Sequence, residues 1–237
     1  METIKPTFNV CTAVTTIEVD GVVYNASPLS GNWHQLRDGD YTEGFKQGIM
    51  IAQVNLIHSG YVNKGIDNKL ASKHTKGIVQ IARNNLVTGN TALYGGNTGS
   101  EWIFAQDLPE VKEGRIEMNQ DTLVARLESE DKRIINDHLH ISADGQVRAM
   151  KREGFRNGEY TVEQMLASNQ PTFITGDKQA PRKMADMMKT TNKPGYLSIP
   201  SHRIITVPGL GVGDDRLDLC SFWSGFFDGR CSFGVRQ

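Results

Sequence analysis

Arg148, Lys151, Arg152 and Arg156 fall within 148–156, with Phe155 among them and Tyr160 close behind. Cations that follow a phosphate backbone, beside an aromatic ring on which a base stacks, hold nucleic-acid single strands. A second basic run, Lys178 to Lys193, places Arg182, Lys183 and Lys189 on the polar face of a predicted helix. Each phosphate contact releases counterions, so a few such side chains give salt-sensitive binding. Arg148, Lys151, Arg152, Phe155, Arg156, Arg182, Lys183 and Lys189 are therefore the expected binding residues. Their expected partner is nucleic acid or another polyanion. The same cations also suit a plainer role, as a solvated face neutralised by acidic segments elsewhere.

Other residue patterns carry less chemistry. Pro208-Gly209-Leu210-Gly211-Val212-Gly213-Asp214-Asp215 reads as a glycine-rich loop after a strand. Free backbone amides in such a loop cradle phosphate. No Gly-Lys-Ser/Thr follows, however, and Asp214 and Asp215 would repel an anion, so a tight surface turn is expected. His138 and His140 are two apart on a predicted strand, a spacing that suits two metal ligands, yet no third ligand lies at strict spacing. No metal and no cofactor is therefore assigned. Cys11 sits in a β-branched run and reads as a buried strand cysteine, since ten residues precede it and a free α-amine base is missing. Ser201-His202 is sequence adjacency, which is not catalytic geometry.

Charge is sorted along the chain. Residues 101–144 are acidic, and 145–203 carry ten bases against five acids. The net charge over 237 residues is only −1, which argues against a wholesale nucleic-acid binder and leaves room for a local basic groove. No apolar run is long enough for a transmembrane helix, so no membrane partner is expected. The N-terminus lacks a signal-peptide layout, and the cysteine count, three, is odd. These features predict a soluble cytoplasmic protein with free thiols, in a host cytoplasm if the chain is viral.

The elements that must position these residues are short. Asp20-Gly21 between β-branched runs predicts an N-terminal hairpin over roughly 8–26. Asp40 or Thr42 caps a predicted buried helix running to Ser59-Gly60, with Phe45, Ile49, Ala52 and Leu56 on its core side. A second helix is predicted at 75–87, and strands at 101–105 and 114–127. Asp144-Gly145 marks a second hairpin within 138–152. Thr161 to Gln164 has capping-box spacing, and Pro181 opens a helix with Met184, Met187 and Met188 inward. Strands follow at 196–199 and 203–207. Segments 217–222 and 231–235 read as a closing strand pair. The glycine content, 24 residues, favours turns and short elements. The expected fold is α+β, with mostly antiparallel sheets, an N-terminal β-hairpin, one buried central helix and several short helices. A single compact domain over 1–237 is expected, with a soft sub-boundary near 95–100.

The first functional expectation is a non-enzymatic binding protein of phage or mobile-element type. A structural protein that forms homo-oligomers is the alternative. Phe222, Trp223, Phe226 and Phe227 would then close the core or make an interface. A small hydrolase using a His or Cys site is the third.

Overall fold

The computed structural model describes residues 8–11, 16–63, 69–128, 133–223 and 230–236. The chain opens with β1 (Phe8–Cys11), β2 (Thr16–Val19), β3 (Val22–Asn25), β4 (Leu29–Ser30), α1 (Trp33–Arg37), β5 (Phe45–Gln47), α2 (Met50–Val62) and α3 (Lys69–Asn84). Its middle holds β6 (Leu86–Thr88), β7 (Thr91–Tyr94), β8 (Trp102–Asp107), β9 (Val111–Lys112), β10 (Arg115–Ile116), α4 (Gln120–Leu127), β11 (Arg133–Asn136), β12 (Leu139–Ile141) and β13 (Val147–Lys151). The last third holds β14 (Gly158–Tyr160), α5 (Val162–Ala167), α6 (Gln170–Thr175), α7 (Ala180–Thr191), β15 (Gly195–Leu197), β16 (Ile205–Val212), β17 (Leu217–Trp223), β18 (Arg230–Ser232) and β19 (Gly234–Arg236).

The architecture is α+β with mostly antiparallel sheets, as expected. A small sheet runs β1-β2-β3-β19-β5, so the chain's last strand closes beside its first hairpin. The large sheet runs β11-β12-β13-β8-β7-β16-β17-β15-β14, with β6, β18 and β4 attached at β16. The β2–β3 turn has Asp20 at φ 49° and Gly21 at φ 79°, the two left-handed positions that a type I′ hairpin needs. The capping box is present at α5, where the Thr161 side chain accepts from the Gln164 amide and the Gln164 side chain accepts from the Thr161 amide. In α7, Pro181 lies in the first turn and Met184, Met187 and Met188 are buried.

Several expectations change. The central helix is buried, but it starts at Met50; Phe45–Gln47 is the strand β5, paired with β19. Gly44, at φ 80°, turns the chain before β5. Gly48 lies so close to Val235 that a Cβ would stand 2.5 Å from its Cγ2. Ile49 is then the half-buried N-cap, outside the core face of the helix. Ser59 and Gly60 lie inside α2, and Gly60 packs on Ile78 of α3. The second helix starts earlier, at Lys69, and Leu86–Thr88 is a strand. Within the predicted strand 114–127, Gln120–Leu127 is helical instead. Asn119 caps this helix by accepting from the Thr122 amide, and Leu123 and Leu127, four apart, are buried.

Residues 208–212 form neither the expected surface turn nor a phosphate-cradling loop; they are part of the buried strand β16. A Cβ on Gly209 would meet the Leu86 side chain at 2.6 Å, so glycine here serves close packing of strands. Segments 217–222 and 231–235 do not pair with each other: β17 lies between β16 and β15, while β18 joins β4 and β6 and β19 joins β3 and β5. Phe226 and Phe227, and the side chains of Cys11, Phe222 and Trp223, lie outside the described residues. No helix among the described residues is long and apolar enough to cross a membrane.

Candidate ligand-binding groove

The expected binding residues do not form one surface. Strand alternation on β13 turns Val147 and Ala149 to one face and Arg148 to the other. Arg148 is 0% exposed. Its guanidinium makes two bonds to the Asp107 carboxylate, at 2.6 and 2.9 Å. It also donates to the carbonyls of Phe173 at 2.7 Å, Ile174 at 3.3 Å and Gly145 at 3.2 Å. Asp107 further accepts from the Thr91 hydroxyl at 2.7 Å, which itself accepts from the Met50 amide. The network ties the start of α2 to β7, β8, β13 and α6. Arg148 is therefore a rivet of the fold and has no donor left for a polyanion.

Lys183 is also turned inward. Its ammonium donates to Asp177 at 2.7 Å and Asn55 at 2.6 Å. Beside it, His58 of α2 lies 3.6 Å from Asp186 of α7, and both are buried. Burial holds the His58 imidazole neutral, with its pKa pushed down to about 4; Asp186 opposes that shift and Lys183 adds to it.

The other expected residues scatter. Lys151 reaches over the Trp102 ring at 5.9 Å, and the same ring meets His140 at 4.8 Å. Arg152 donates to the Gly95 carbonyl at 2.5 Å and so pins the glycine-rich turn at 95–100. Phe155 is half-buried, edge-on to Phe173, with ring centres 6.1 Å apart. Arg156 is exposed and lies over Tyr160 at 5.4 Å. Lys189 is exposed on α7. His138 sits in the turn before β12, 3.8 Å from Glu153, and not on a strand with His140. Among the described residues, no three metal-ligating side chains converge.

Lys189 and Lys193 share a concavity with the acid Glu163, and a second concavity holds cations alone among its described charged residues. This second one, a groove of about 420 Å³, runs between β11, the α5–α6 corner and the start of α7. Its walls include Ile134, Leu166, Asn169, Lys178, Pro181 and Arg182. That volume falls in the range of ligand sites, about 300–1,000 Å³. Among the described residues, no acidic one lines it. Among the described residues, neither Lys178 nor Arg182 has an acid within salt-bridge reach. The Arg182 Nε has no hydrogen-bond partner, so no internal bond holds the guanidinium in place through that atom. Of the expected residues, the groove contains Arg182; sequence spacing does not single out Lys178, Ile134 or Leu166. The readable signal is Pro181 at the first turn of α7, which brackets Lys178 and Arg182 around a helix start.

No protein-family model matches the chain, and no curated protein sequence matches it. A solved structure, described as the accommodation of massive sequence variation in Nanoarchaeota by the C-type lectin fold, superposes with a TM-score of 0.50. The match covers 88% of this chain and 95% of that one, at 12% identity. This chain shares the C-type lectin fold. At such low identity, the C-type lectin likeness extends to the course of the backbone and not to side-chain roles.

Proposed function

We propose that the protein is a non-enzymatic binding protein, whose ligand carries negative charge and seats in the groove of Lys178 and Arg182. The observation that carries this reading is a concavity with two cations and, among the described residues, no lining acid. Nucleic acid and other polyanions belong to this ligand class. Arg156 lies nearby: its carbonyl accepts from Gln170, the first residue of α6, whose Thr172 and preceding Asn169 line the groove. The C-type lectin likeness supports a binding role. The neighbouring structure's fold accommodates massive sequence variation. Tolerance of that kind in this chain would place specificity in exposed side chains and leave Arg148 and Lys183 to the scaffold.

The test is the salt dependence of binding to heparin and to a labelled oligothymidine. Binding at low salt should weaken as salt rises. A Lys178→Ala/Arg182→Ala variant should flatten the log–log slope by about 0.7 to 0.9 for each phosphate that is no longer neutralised. Absence of binding to any anionic probe at low salt, or an unchanged slope in the variant, overturns the proposal.

A further inference from the structure

We propose that the natural occupant of the groove is an extended acidic segment of a partner protein, added as a strand to the edge of the large sheet at β11. This inference rests on the reading of the groove as an anion-binding site and specifies the partner. β11 ends the strand order and, among the described residues, pairs only with β12. Ile134 of β11 borders the groove and is 56% exposed, one of the few large apolar residues left in water among the described residues. A strand edge presents a row of backbone donors and acceptors to any extended chain laid beside it.

Charge and apolar character select the occupant. The walls combine Ile134, Leu166 and Pro181 with Lys178 and Arg182, and no aromatic residue lines them among the described residues. Sequence-tolerant binding of single strands depends on stacking bases on aromatic faces. The expected stacking residue, Phe155, packs on Phe173 instead. An extended peptide alternates its side chains, so carboxylates at every second position would face the two cations. Apolar residues of the same peptide would cover Ile134 and Leu166.

The test uses the full chain and a fluorescent peptide of alternating Glu and Val. Saturable binding is expected, weakened about threefold to tenfold by Lys178→Ala, by Arg182→Ala or by Ile134→Asp. A matching peptide of Lys and Val should not bind. If Ile134→Asp unfolds, the two alanine variants still decide the matter. Failure of the Glu-Val peptide while heparin or oligothymidine binds through Lys178 and Arg182 overturns this inference and leaves the anion-binding reading standing. Failure of every anionic probe overturns both. Self-association that disappears on Ile134→Asp, without peptide binding, assigns the edge to a second copy of the chain and also overturns the inference.

Discussion

The two sides of α7 handle positive charge in opposite ways. On the inner side, Lys183 is held by Asp177 and Asn55, and Asp186 faces His58 where α7 packs on α2. On the outer side, Arg182, together with Lys178 just before the helix, meets no acid within salt-bridge reach among the described residues. Desolvating an ion costs several kcal/mol, and the inward Lys183 is matched by a carboxylate and an amide oxygen. An outward cation keeps part of its charged group in water and needs no acid to offset full burial. The Arg148–Asp107 pair extends the inner pattern to the sheet. A cation's side of the element, more than its place in a basic run, decides whether it is drawn into the fold or left at the surface.

The largest break in that contrast should come from Asp107→Ala. It leaves the Arg148 guanidinium buried without its carboxylate and takes an acceptor from Thr91. Removing one partner of a buried pair costs roughly 3–5 kcal/mol. Urea unfolding should show that loss. Replacing both members, as in Asp107→Leu with Arg148→Met, should recover much of it, because no buried charge then remains. A single mutant as stable as the parent would mean that Arg148 finds water, and the inner pattern would fail.

Next in size is acid sensitivity at His58. The native imidazole titrates near 4, against an ordinary value of 6.5, because burial disfavours its charged form. Between those values the unfolded chain binds more protons than the native one. Stability is therefore intact above pH 6.5 and is lost as pH falls towards 4, by roughly 3 kcal/mol over the interval. Asp186 and Lys183 of α7 and Asp20 of the β2–β3 turn are the charged groups acting on His58. Melting curves from pH 7 to pH 4 should show the slope, and His58→Gln should reduce it. An unchanged slope in His58→Gln would assign the acid sensitivity to other groups.

Local chemistry makes part of this legible in the sequence. The Asp20-Gly21 turn, the Thr161–Gln164 cap and the Pro181 helix start each depend on residues within a few positions, and each stands where the sequence puts it. The glycines of β16 mislead because Gly209 answers to Leu86, far away in sequence. Phe45 sits at helical spacing with Ile49 and Ala52, yet Gly48 and the pairing with β19 hold its segment as a strand. Arg148 and Lys183 read as surface charge for the same reason. Asp107, which draws Arg148 inward, is 41 positions away, and Lys183 is drawn inward by Asn55, 128 positions away, together with Asp177, 6 positions before it. The groove is hidden in the sequence because β11, α5, α6 and α7 meet only in the folded chain.

The smallest and sharpest comparison uses adjacent residues, Arg182 and Lys183. Lys183→Ala removes an ammonium that satisfies both Asp177 and Asn55, leaving one carboxylate and one amide oxygen on the inner side without that donor. Asp177 is partly open to water and can rehydrate, so the expected loss is moderate, about 1–3 kcal/mol. Arg182→Ala removes a guanidinium with no acid in salt-bridge reach, and stability should stay within about 0.5 kcal/mol of the parent. Affinity for anionic probes should move the other way: weakened by Arg182→Ala, and changed by Lys183→Ala only as far as folding suffers. Paired urea and binding titrations on the two variants read both quantities. Equal stability losses, or equal affinity losses with both variants folded, would show that α7 has no division between a structural and a binding side. A crossed result, with stability following Lys183 and affinity following Arg182, would place the functional boundary between two consecutive residues of one helix.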